Sequence, residues 1–146
     1  MAHPVAEQLE RALRATVEVA GAFPADKLDF WPAANTMTVG EQIEHVALNL
    51  DYAIAPIATA LAIPDSVCPI DGPVAHLTLA VQRVNEILSQ IDDDDWVREI
   101  SLPDGFRMTV MQSALVMLEH DAHHRGQLIV DLRLLGIDPP KRWGGT

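Results

Sequence analysis

The sequence predicts an all-α fold, a four-helix bundle. Three observations carry that expectation: four long segments repeat apolar residues at helical spacing, prolines and glycines gather between them, and no segment shows convincing strand alternation. At 146 residues the chain suits a single domain, residues 1–146, built around one core.

The first helix runs from about Pro4 to Ala20, with Val5, Leu9, Leu13, Thr16 and Val17 on one side and "GAFP" ending it. "KLDFWPAANTM" reads as an irregular connection. The second helix opens at "TVGE", where Thr38 as N-cap and Glu41 three residues on form a capping box. It continues to about Leu61, and Pro56 inside it predicts a kink or an early end. "AIPDSVCPIDGP" carries three prolines and is a linker.

The third helix starts near Pro73 and reaches about Gln90, with Leu77, Ala80, Val81, Val84 and Leu88 on one face; "DDDD" stops it. "WVREISLPDGFRMT" contains the turn signal "PDG" and suits a loop or small hairpin. A second capping box, Thr109 with Gln112, opens a long fourth helix that ends near "LLGIDPP". Long connections leave the bundle topology open.

A formal charge of −11, from 21 acidic and 10 basic residues, repels a phosphate backbone and argues against nucleic acid as a partner. A single cysteine, Cys68, builds no disulfide framework and suggests a reducing compartment. The N-terminal stretch has charges throughout and reads as an amphipathic helix, not a signal peptide. No apolar run is long enough to span a membrane, so a cytoplasmic location is the default.

Chemistry concentrates in "EHDAHHRGQL", Glu119 to Leu128. Helical stepping puts Ser113, Val116, Met117, His120, His124, Gln127, Leu128, Asp131 and Leu134 in one stripe of the fourth helix. His120 and His124, one turn apart on that stripe, can converge on one metal ion or form a hydrogen-bonded core pair. His45 on the second helix is the candidate third ligand. It lies opposite the apolar side formed by Ile43, Val46, Ala47, Leu50, Ile54 and Ile57. Two readings stand there: a half-exposed histidine paired with Glu41, or a pocket-facing ligand whose second N–H Glu41 accepts. His123 sits off the stripe, one turn after Glu119, as a rim ion pair. His3 and His76 receive no role. Arg125 lies off the stripe and suits a structural ion pair, and Cys68 in a linker is a poor nucleophile.

Two blocks, "FWPAANTMTVGEQIEHVA" and "LEHDAHHRGQLIVDLRLLGIDPP", resemble the DinB-like family of metal-binding four-helix bundles. That superfamily includes thiol-dependent S-transferases and mycothiol-dependent maleylpyruvate isomerase. The resemblance implies a long crossover connection, a homodimer, and metal ligands at His45, His120 and His124, with His123 outside the motif. Three neutral imidazoles suit a divalent transition metal, Zn²⁺ or Ni²⁺, and leave a coordination position open. Glu41, Gln127 and Asp131 are the candidates for the surrounding shell or pocket. The functional expectation is a metal-dependent enzyme acting on a small molecule with a low-molecular-weight thiol as cosubstrate. A hydrolase using metal-bound water and a noncatalytic metal-binding dimer are the alternatives.

Overall fold

The computed structural model describes residues 3–65 and 71–143, so Cys68 lies outside the described residues. Four helices dominate: α1 (Pro4–Gly21), α2 (Val39–Leu61), α3 (Pro73–Leu88) and α4 (Val110–Leu134). Between α3 and α4 the strands β1 (Glu99–Ser101) and β2 (Arg107–Thr109) pair antiparallel, with Ile100 opposite Met108. The small hairpin expected from "PDG" is therefore present. Its turn closes from the Gly105 N–H to the Leu102 carbonyl at 2.9 Å, and Gly105 takes φ +85°, which favours glycine.

The helix boundaries follow local chemistry. Thr38 and Glu41 form the reciprocal capping box of α2, and Thr109 and Gln112 repeat it at α4. The α4 C-terminus closes with Gly136 at φ +71°, where the Ile137 N–H reaches the Leu132 carbonyl at 2.9 Å and the Gly136 N–H reaches Arg133 at 3.0 Å. At the end of α2 the same left-handed closure falls on Ala62, at φ +53°. Pro56 does not end α2; the helix continues through it, leaving the Tyr52 carbonyl without its helical donor. α3 stops at Leu88, ahead of the aspartates, which form a 3-10 turn over Asp93–Val97.

α1 packs on α3 and α4, and α2 packs on α3 and α4, so chain neighbours α1 and α2 are diagonal partners. The first turns of α2 and α3 lie side by side around Gly40, Glu41, Pro73 and His76, so these two helices run parallel. The connection between them must return along the length of α2, about 35 Å for 23 residues. This is the long crossover. Asp65, within it, bonds Arg83 of α3 through both carboxylate oxygens, at 2.5 and 2.6 Å.

Leu9, Leu13, Ile43, Leu50, Ile54, Ile57, Leu77, Met117, Leu128 and Leu132 form the fully buried centre. In α4 the buried seam steps through Val110, Ala114, Met117, Asp121, His124, Leu128 and Asp131, alternating four and three residues as in coiled-coil packing. This corrects the predicted stripe. Val116, Gln127 and Leu134 are exposed, whereas Asp121 is fully buried. The cause is that α4 is covered by α1 and α2 together, which turns its buried sector toward Asp121. There the Arg125 guanidinium pairs with Asp121 and donates to the Ala12 carbonyl at 2.9 Å and the Thr16 hydroxyl at 3.0 Å, the structural ion pair expected of Arg125. Burial nevertheless raises the Asp121 carboxyl to about 6, against the pull of Thr16 and Arg125.

Candidate metal centre

The α2 N-terminus is built to hold its neighbourhood still. Its first N–H groups are satisfied by the preceding loop, Val39 to the Phe30 carbonyl at 3.0 Å and Gly40 to Leu28 at 2.8 Å, and the Glu41 N–H by the Thr38 hydroxyl at 3.2 Å. A side chain at position 40 would put its Cβ 3.2 Å from the Leu28 oxygen, so glycine permits this close docking. The same loop, tied by the Trp31 indole N–H to the Thr36 carbonyl at 2.7 Å, forms one wall of the cavity described below.

Nearly two turns into α2, His45 meets α4. Its Nε2 lies 3.1 Å from Nε2 of His120, and His124 completes a trio whose ligand nitrogens all lie within 4.8 Å of one another. Ring centroids are 4.5 to 5.0 Å apart within the trio. Tetrahedral bonds of 2.0–2.1 Å to one ion put nitrogens about 3.3 Å apart. The donor set suits a metal ion: the His45–His120 spacing already matches, and the wider pairs, up to 4.8 Å, need only small side-chain rotations to close on it. Among the described residues, no fourth His, Cys, Asp or Glu joins this group.

The electrostatics keep two of these rings neutral. Burial lowers the pKa of His124 to about 4, helped by repulsion from His120, His45 and His123. Burial also lowers His120, with His45 and His123 adding to it. Neutral imidazoles are the form a metal binds. The trio grades from exposed His45 through half-buried His120 to buried His124, which leaves one side of the group open.

Gln42, three residues before His45, is a partner that sequence reasoning missed. It is buried, with its amide nitrogen 3.3 Å from Nδ1 of His124 and donating to Gln127 Oε1 at 2.5 Å. The signal was a glutamine set between Val39 and Val46 on an apolar face. Glu41 instead bonds the Thr38 N–H at 2.8 Å, a capping contact one turn before His45. His123 forms no ion pair with Glu119 among the described residues; its ring stands edge-on to His124, centroids 4.9 Å apart. His123, His124, Gln127 and Asp131 all line a cavity of about 630 Å³ beside the trio. His3 caps α1 and stacks on Trp96, and His76 is buried between carboxylates.

Fold and site together define a class: a crossover four-helix bundle carrying three convergent histidines at one α2–α4 seam. Residues 8–128 match the DinB superfamily, and the chain belongs to it. The uncharacterized protein YjoA of Bacillus subtilis is 29% identical over 127 residues, covering 83% of this chain and 82% of that protein. The crystal structure of that DinB-like protein superposes with a TM-score of 0.77 at 20% identity, over 94% of this chain and 96% of the other. A DinB-like protein from Bacillus cereus gives 0.70 at 18% identity, over 88% and 89%. No helix among the described residues is long and apolar enough to cross a membrane.

Proposed function

We propose that the protein is a metal-dependent enzyme in which His45, His120 and His124 hold a divalent transition metal, and a small thiol cosubstrate attacks an electrophilic small molecule beside it. The observation that carries this is the convergence of three histidine nitrogens with no fourth His, Cys, Asp or Glu joining them among the described residues. A closed structural site has four protein ligands, whereas an open position is the mark of a catalytic one. Zn²⁺ or Ni²⁺ held there supplies Lewis acidity and draws the pKa of a thiol or water toward neutrality.

The chain's own residues do the positioning. Turned so that its oxygen faces His124, the Gln42 amide accepts the Nδ1 proton and holds the tautomer whose Nε2 lone pair is free. Gln127 turns with it, so that its amide N–H donates to the Gln42 oxygen and braces it from the cavity side. The cavity admits the substrate next to His124 and shields it from bulk water on the side of the 32–37 loop. Exposed Leu48, Tyr52 and Val116 flank the trio on the faces of His45 and His120, and support a homodimer joined beside the site.

The test is to load the protein with Zn²⁺ or Ni²⁺ and present glutathione, bacillithiol and mycothiol with panels of alkyl halides, epoxides and activated alkenes. Thiol consumption that depends on the metal is the expected result. Turnover of esters or amides without any thiol would replace this reaction with hydrolysis.

A further inference from the structure

We propose that the cavity beside the histidine trio takes small molecules carrying a cationic nitrogen, and that Asp131 is the anchor for that nitrogen. This rests on the metal centre proposed above and names the substrate class of the same site. Asp131 lines the cavity, is 4% exposed, and its buried Oδ2 has no hydrogen-bond partner among the described residues. Other acids in the molecule's interior are neutralised: Asp121 by Arg125, and Asp51 by His76 and Arg83. No lysine or arginine is among the described residues lining this cavity. A buried carboxylate without a cation is costly, and burial alone raises its pKa here. A cation entering from solvent would offset that cost, and the chain's net charge of −11 favours its approach.

The chemistry of the walls chooses the kind of cation. Asp131 is the only carboxylate among the described residues lining the cavity, and its other walls mix apolar Pro32, Met37 and Val130 with neutral polar Asn35, Thr36 and Gln127. One negative charge with neutral neighbours suits an ammonium on a carbon skeleton. Asp131 lies seven residues beyond His124 on one side of α4, about 10 Å along the helix. The ligand therefore places its nitrogen about 10 Å from the end that meets the trio.

The experiment titrates the Co²⁺-loaded protein with ω-aminoalkanethiols of increasing length, and with plain alkanethiols of matched length, following the thiolate-to-cobalt absorption. The expected result is that the terminal amine strengthens binding about tenfold once the chain is long enough to reach Asp131, and adds nothing in the shortest member. Asp131→Asn should abolish that gain while leaving alkanethiol binding unchanged. Equal affinities for the two series at every length, or a gain that survives in Asp131→Asn, overturns the assignment while the metal centre stands. If neither series alters the cobalt spectrum, the open coordination position fails, and the anchor with it.

Discussion

His76 and His124 are buried to almost the same degree, 5% and 6% exposed, yet their surroundings drive them in opposite directions. His76, between α3 and α2, has Nδ1 2.7 Å from Glu44 and Nε2 2.8 Å from Asp51, while Arg83 binds the other Asp51 oxygen at 2.5 Å. Burial opposes its charge, but the Asp51 and Glu44 bonds outweigh it and raise the pKa above 6.5. His124, between α4 and α2, meets an amide and three other imidazoles, and its pKa falls to about 4. Burial alone thus says little about a histidine. Carboxylates on both nitrogens make it a charged strut, whereas neighbours that bring no negative charge leave it a neutral ligand.

The largest expected effect separates the two regions outright. His120→Ala and His124→Ala should each lower metal affinity more than 100-fold, and His76→Gln should leave stoichiometry unchanged, as read by elemental analysis of purified, reconstituted protein. Metal lost equally in all three variants would erase the distinction. A step smaller, Gln42→Leu removes the amide that orients His124 but keeps an apolar side chain in a buried place. Its metal affinity should fall 10- to 100-fold in chelator competition, with the fold intact by circular dichroism.

The strut side is tested by stability. His76→Gln leaves Glu44 and Asp51 without the imidazolium, though Arg83 still holds Asp51, so urea unfolding of metal-free protein at pH 6 should show a loss of about 2 kcal/mol. The sign with pH follows from the raised pKa. The His76 contribution is complete below 6.5, the unfolded value, and disappears as pH rises through the higher folded value. That decline should be absent in His76→Gln. His124 acts in the opposite sense: below 6.5 the unfolded chain takes a proton that the folded site refuses, so its contribution falls as pH drops toward 4. The smallest effect touches neither region. Ala62→Gly relieves a left-handed alanine at the end of α2 and should add about 0.5 to 1 kcal/mol, with metal affinity unchanged.

Much of this was legible before any tertiary information. The capping boxes at Thr38 and Thr109 and the stop at Gly136 are written within a few residues, so the helix ends fell where the residues put them. His120 and His124 are one turn apart on one helix, and any helix at that place presents them together. The α4 stripe was misplaced because its true seam repeats every three and a half residues and is covered by two helices. Extrapolating from its apolar residues carried the face toward Val116 and Leu134 and away from Asp121.

By itself, then, the sequence determined four helices, their ends, and a pair of histidines in helical register, because each depends on hydrogen bonds and side chains a turn or so apart. Tertiary structure alone decided which histidines are pushed toward the charged form and which away from it, that Gln42 and not Glu41 touches the trio, and that Asp131 lines a cavity with its Oδ2 unpartnered among the described residues. Those outcomes depend on groups about 30 to 80 residues away in the chain, brought alongside by the crossover between α2 and α3 and by α4 packing against α2. A side chain's charge and task follow from what surrounds it in space, and local periodicity carries no record of that.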